Sequence, residues 1–359
     1  MIYYLSELYL EYFPQLNLFQ YITVRIIFAA ITGLIFTLLF GPIVIKKLAD
    51  YGIGEKISKY NPNTHLTKTG TPTMGGIMII LSVILSSVIW ADLSNKYIIF
   101  GILIMLSFGA LGFFDDYIKL KKNSKGIKAK TKFLNQVLLS LIFAIIIFIN
   151  IEDINEQLLF FPFFKEIVIN LSYFYIPLFI LVIVSSCNSV NLTDGLDGLA
   201  ITPVILVCVG LGIFTYLSGH INFANYLLIP HLPGVGELTI FIGAIVGSGL
   251  GFLWYNSYPA QIFMGDVGSL SLGAVIGYIA MAARQEIVLI IMGGIFVAET
   301  ISVIIQITSI KLFNRKVFLW TPLHHHFEKK GWPEPKVVSR FWIVTFILVL
   351  VGIATLKIR

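Results

Sequence analysis

Ten long apolar runs recur along this 359-residue sequence, each with room for the roughly 20 residues that an α-helix needs to cross a bilayer. They fall at about 19–45, 74–93, 97–114, 133–150, 173–190, 199–218, 238–256, 267–283, 287–310 and 341–357. In hydrocarbon every backbone N–H and C=O must be satisfied within the protein, which leaves helices or closed barrels. Runs of this length point to helices. The expected fold is therefore an all-α polytopic integral membrane protein with ten transmembrane helices, forming a single transmembrane domain over residues 1–359. Charged residues make up 12% of the chain, against roughly 25% in soluble domains. The first charges, Glu7 and Glu11, are acidic where a cleavable signal would open with basic residues. Cys187 and Cys208 lie far apart in apolar stretches, which suits neither a disulfide framework nor a thiolate metal site.

Lysine and arginine set the orientation of such a chain. The first connection holds Lys46, Lys47, Lys56, Lys59 and Lys68. The third holds Lys119, Lys121, Lys122, Lys125, Lys128, Lys130 and Lys132, and the ninth Lys311, Arg315, Lys316, Lys329, Lys330, Lys336 and Arg340. Three odd-numbered connections thus carry 19 of the 25 basic residues and are expected on the cytoplasmic side. Ten spans then leave both termini periplasmic. The net charge of +6 reads as a topology signal, with no nucleic acid implied.

The same face carries polar segments that a passive membrane protein does not need. The third span ends in Asp115-Asp116, the fifth connection reads NSVNLTDGLDGLA, the seventh WYNSYPAQIFMGDVGS, and the ninth contains TPLHHHFEKKGW. The fifth and seventh have no lysine or arginine, so their carboxylates lack a local partner. A charge at membrane depth costs a few kcal/mol, and several aspartates at one face repel unless a cation gathers them. Hard oxygen donors beside amide side chains suit Mg²⁺, which typically takes one or two carboxylates plus substrate phosphates. The lysines after Asp116 then read as phosphate contacts, and metal plus lysines around an anion equips a site for phosphoryl transfer. Each element alone has a plainer reading: Asp115-Asp116 as a solvated helix end, NLTDGLDGLA as a Gly/Asp turn, Asp266 as the N-cap of the eighth span. Three consecutive histidines cannot all face one metal from a helix, and HExxH, Walker A and GxSxG patterns are absent. Glu299, inside the ninth span, is the least expected charge, and stabilising a break in that helix is one use for it.

Seven segments in order resemble the phospho-N-acetylmuramoyl-pentapeptide-transferase family, within the polyprenyl-phosphate N-acetylhexosamine-1-phosphate transferase superfamily. They are TKTGTPTMGG (67–76), FFDDYIK (113–119), KGIKAKTK (125–132), NLTDGLDGLA (191–200), NSYPAQIFMGDVGSL (256–270), GGIFVAETISVIIQ (293–306) and TPLHHHFEKKGW (321–332). The HHHFE segment separates this branch from its closest relatives, which carry a different histidine pattern there. The resemblance implies that undecaprenyl phosphate attacks the β-phosphate of UDP-MurNAc-pentapeptide. The products are undecaprenyl-pyrophosphoryl-MurNAc-pentapeptide (lipid I) and UMP. It also implies a Mg²⁺ requirement, a homodimer in the bacterial cytoplasmic (inner) membrane with its active site on the cytoplasmic face, and a broken ninth helix beside a lipid-facing groove.

On that footing the expected catalytic set is Asp115, Asp116, Asp266, His324, His325 and His326. Asp266 and Asp116 are expected at the metal. Asp115 is expected to orient the lipid phosphate or act on it as a base, although a phosphate with a second pKa near 6 hardly needs one. Lys68, Lys119, Lys130 and Lys132 are expected on phosphates, with Asn191 and Asp194 at the metal end. Asp197, Asn256 and Phe263 are expected at the nucleoside end, Phe263 stacking on uracil, and the histidines near the sugar or pyrophosphate. The rival readings are a UDP-GlcNAc:undecaprenyl-phosphate GlcNAc-1-phosphate transferase, an ion-coupled transporter, which would favour midplane charges and repeats, and an intramembrane aspartyl protease, for which FMGD lacks the first glycine of GxGD.

Overall fold

A computed structural model describes residues 1–51, 70–121 and 126–358, with the side chains of Lys165, Glu166 and Ile358 left aside. Its main helices are α2 (Ile22–Asp50), α3 (Gly76–Trp90), α4 (Lys96–Lys121), α5 (Ala129–Ile149), α6 (Tyr175–Thr193), α7 (Ile201–Ser218), α9 (Leu238–Asn256), α10 (Gly265–Ala282), α11 (Glu286–Met292) with α12 (Gly294–Phe313), and α14 (Glu334–Ile358). Short helices α1 (Ile2–Leu8), α8 (Ile221–Leu227) and α13 (Leu323–Lys329) join them. Among the described residues nine helices are long and apolar enough to cross a membrane.

The expectation of ten full spans needs one correction. α3 has 15 residues, about 22 Å at 1.5 Å per residue and short of a bilayer core of about 30 Å. The chain spends the start of the expected run, around Met74, on a turn that hydrogen-bonds to the segment before α10: Gly75 N–H donates to Phe263 O at 2.8 Å and Gly76 N–H to Met264 O at 2.9 Å. The ninth run is broken as expected, at Gly293, where α11 ends and α12 begins.

α10 is the axis of the bundle. Its sequence GDVGSLSLGAVIGYIAMA is rich in small residues, and nearly every position is buried. α4, α6, α3 and α7 pack around it. α2 and α9 form the closest seam, where Gly243, Gly247 and Gly251, spaced by four, meet Ile26, Ala30 and Thr37 of α2. Small residues at that spacing let helix backbones approach where lipid gives no hydrophobic drive, and a Cβ on Gly247 would overlap the Ala30 carbonyl.

At the end of the bundle away from the aspartates, Arg25 is buried and donates to both carboxylate oxygens of Glu237, at 2.9 and 2.6 Å. The fourth connection, which carries Glu152, Asp153, Glu156 and Glu166, forms a hairpin of β1 (Leu158–Phe161) and antiparallel β2 (Phe164–Asn170), with Leu158 opposite Asn170 and Phe160 opposite Val168. A 3-10 turn at Ile154–Gln157, closed by the Asp153/Glu156 capping box, leads into it. Lys96 reaches Glu156 at 3.0 Å and fastens this hairpin to α4.

Candidate active site

Four helix ends make the site. α4 runs past the expected end of its apolar stretch to Lys121, so Asp115 and Asp116 stand on a helix with Lys119 four and three residues on, on the same face. α5 opens at Ala129 and brings Lys132. α6 closes on Asn191 and Thr193. α10 opens at Gly265, whose φ of 71° turns the chain into the helix. Asp266 lies in that first turn, and the N-cap is Met264, so Asp266 is not the cap that its position suggested. Nor are Asp115 and Asp116 a solvated helix end: they are 2% and 4% exposed.

The three carboxylates share a pattern. One oxygen of each is tied to the scaffold: Asp115 Oδ1 accepts from Ile127 N–H at 2.6 Å, Asp116 Oδ2 from Val267 N–H at 3.3 Å, and Asp266 Oδ1 from Asn191 Nδ2 at 2.6 Å. The other oxygens face one another across two ammonium groups. Lys119 Nζ lies 2.6 Å from Asp266 Oδ2, 3.0 Å from Asp116 Oδ1 and 3.2 Å from Asp115 Oδ2. Lys132 Nζ lies 2.7 Å from Asp266 Oδ2 and 3.2 Å from Asp115 Oδ2. Local sequence offered Asp266 no cation, but the fold supplies two from 147 and 134 positions away.

The segment 191–198 is pinned along its length. Asn191 Nδ2 also reaches Ser269 Oγ at 2.8 Å. Asp194, half-buried, is the C-cap of α6. Asp197 Oδ2 accepts from Ala260 N–H at 3.0 Å, and Asp197 N–H donates to Glu334 at 2.9 Å. Asn256 is buried and its amide is used at both ends, Oδ1 accepting from Gly198 N–H at 3.0 Å and Nδ2 donating to Ile262 O at 2.8 Å. Asn256, expected at the nucleoside end, is therefore engaged in joining the 191–198 segment to the segment before α10. Phe263 is half-exposed beside it, held through its backbone by Pro72 and Gly75.

The histidines do not act as one group. His324 is buried; its Nδ1 lies 3.1 Å from Glu299 Oε1, and its ring packs where a Cβ on Gly195 would be. His325 Nδ1 lies 2.7 Å from Glu328 Oε2, and His326 Nδ1 accepts from Leu319 N–H at 3.1 Å. Glu299 lies six residues beyond the break at Gly293 and receives the α13 amides of Leu323 at 2.5 Å and His324 at 3.2 Å, so it ties α12 to α13. Lys130 is exposed, while Lys68 lies outside the described residues.

Two partnerships escaped sequence reasoning: Lys119 and Lys132 bound to carboxylates, and Glu299 bound to His324. Glu299 did carry a signal, being a charge inside an apolar run.

The donor set fits a divalent cation. Asp266 Oδ2 and Asp116 Oδ1 already meet at one positive group, and Mg²⁺ bound through one or two carboxylates plus phosphates needs no more protein oxygens. Among the described residues no three His, Cys, Asp or Glu side chains form a ready cage. Residues 97–284, more than half of the chain, match the model of glycosyl transferase family 4. The chain belongs to glycosyl transferase family 4. This family 4 protein is accordingly a membrane phosphoglycosyl transferase, in the superfamily that moves a phospho-sugar onto polyprenyl phosphate. The matched stretch contains the three aspartates, both bound lysines and the 191–198 segment, and it ends before Glu299 and the histidines.

Proposed function

We propose that this transferase moves phospho-MurNAc-pentapeptide from UDP-MurNAc-pentapeptide to undecaprenyl phosphate, forming lipid I and UMP. The setting is the cytoplasmic face of a bacterial inner membrane, with Mg²⁺ as cofactor and a homodimer as the assembly. The observation that carries the choice of substrate is the placement of TPLHHHFEKKGW. Its His324 is packed against Gly195 in the NLTDGLDGLA turn, which supports reading the segment whose resemblance is to this branch, and not to the UDP-GlcNAc relatives, as part of the site.

One substrate lives in the bilayer and the other in water, so the chemistry belongs at a membrane face where helix ends meet. An oxygen of the lipid phosphate attacks the β-phosphorus of the nucleotide, and the bond from that phosphorus to the oxygen bridging to UMP breaks. One pyrophosphate linkage replaces another, so the protein's task is to bring two anions together and to balance charge on the departing UMP. In this reading Asp266 and Asp116 hold Mg²⁺, which when bound neutralises pyrophosphate charge. Lys119 and Lys132 are on flexible stems and transfer their ammonium groups from the carboxylates to the arriving phosphates. Asp115, anchored by Ile127 N–H, orients both lysines. Asp197 and Asn256 shape the uridine end, beside which Phe263 offers a half-exposed ring.

Purified protein given UDP-MurNAc-pentapeptide, undecaprenyl phosphate and Mg²⁺ should release UMP, and EDTA should stop the release. UMP release from UDP-GlcNAc in place of the muramoyl nucleotide would reassign the enzyme to its GlcNAc-1-phosphate relatives.

A further inference from the structure

Glu299 and His324 are both almost wholly buried, at 0% and 1% exposure, where helix α12 meets α13. The Glu299 carboxylate meets three groups: the N–H of Leu323 at 2.5 Å, the N–H of His324 at 3.2 Å and the imidazole Nδ1 of His324 at 3.1 Å. A carboxylate accepts from all three, so the proton sits on Nδ1. His324 Nε2 is left buried against Gly195, without a hydrogen-bond partner among the described residues. Two residues on, His326 Nδ1 accepts from Leu319 N–H and so carries its proton on Nε2. The same short helix thus holds two histidines in opposite tautomers, each chosen by its neighbour.

Gly195 follows Asp194 at the turn where α6 ends, four residues after Asn191, which binds Asp266. A bare Nε2 lone pair can lie against the Gly195 methylene. A proton there would be a buried donor facing carbon, which costs the full desolvation of that group.

We propose that Glu299 is a positioning residue: by fixing His324 with its proton on Nδ1, it sets the Asp194–Gly195 turn and with it the approach of Asn191 to Asp266. The inference deepens the transferase reading and rests on it. It gives the broken ninth helix a direct mechanical connection to the metal end of the site. The uridine end is independent of this connection, because Glu334 and Asn256 hold Asp197 and Gly198 from other helices.

Glu299→Gln tests the relay. Glutamine keeps its oxygen on the short Leu323 N–H bond and puts its own N–H at the Oε1 position, where it faces the imidazole Nδ1 and moves the ring proton to Nε2, at the cost of the acceptor for the His324 amide. In protein labelled with ¹⁵N-histidine, the ring shifts assigned to His324 by difference from His324→Asn should report the proton on Nδ1 in the wild type and on Nε2 in Glu299→Gln. The rate of UMP release, kcat, should fall about tenfold or more while nucleotide KM stays within about twofold. The asparagine of His324→Asn can pair with either partner, so Glu299→Gln/His324→Asn should be no slower than His324→Asn alone. Should Glu299→Gln not fold, Gly195→Ala leaves both partners intact, pushes a methyl into the ring, and should show the same split between kcat and KM. A wild-type proton on Nε2, additive losses in the double variant, or a KM rise that accounts for the loss would each overturn the proposal. A wild type that releases UMP from neither nucleotide would defeat the transferase reading instead, while the ring shifts would still decide the tautomer.

Discussion

Asp266 serves two sets of partners at once: one oxygen meets Asn191 and the other two ammonium groups. Asp266→Asn keeps the shape and the Asn191 contact but removes the charge. Turnover should fall by at least about a thousandfold, with the size-exclusion profile and membrane insertion unchanged; near-normal UMP release would reject Asp266 as the metal ligand. His326 supplies a second test at this scale. Burial and then the neighbouring Lys330 hold its pKa below the usual imidazole value, and its Nδ1 accepts the Leu319 amide only when unprotonated. A folded pKa below the unfolded one means that the unfolded chain binds more protons in that window, so the contribution is intact above about pH 6.5 and is lost as pH falls through the folded value. Ring titration by NMR should place His326 below a free histidine, and Lys330→Gln should move it upward.

At the level of helices, the site depends on how closely α4 lies on α10. A Cβ on Gly112 would overlap the backbone of Asp266, and backbone cannot swing aside as a side chain can. Gly112→Ala should therefore force the two helices apart, cost about 1–3 kcal/mol, and separate Asp115 and Asp116 from Asp266. A lowered melting temperature accompanied by a disproportionate loss of turnover would bear this out, whereas full activity would show that the helices need not touch. Sequence analysis located these helices because apolar length is a local property, and it expected the break near Gly293 from the family resemblance. It overestimated α3 because apolar residues at 74–75 serve a turn against the start of α10, and hydropathy does not distinguish a turn from a span. It gave no sign of the carboxylates that Lys119 and Lys132 meet in the folded chain, since residues as far apart as 119 and 266 show no local mark of contact.

Across the whole molecule, charge is divided between two ends with different purposes. Away from the aspartates, Arg25 and Glu237 join α2 to the start of α9 as a largely buried pair. Removing one partner strands the other: Glu237→Gln should cost about 3–5 kcal/mol, while the paired apolar replacement Arg25→Met/Glu237→Leu should recover most of that loss. Thermal unfolding in detergent of the two variants measures the difference, and equal destabilisation would mean that the loss does not come from a stranded partner. At the catalytic end no single helix owns the machinery. The eight-residue stretch from Asn191 to Gly198 is fastened to α10 by Asn191, to α9 by Asn256, and to α14 by Glu334 and by Trp342, whose indole N–H donates to Gly198 O at 3.1 Å. α14 follows every other span in translation order. A nascent chain therefore carries all three aspartates before the helix that ties down Asp197 and Gly198 has been made, so the 191–198 turn is among the last parts to close.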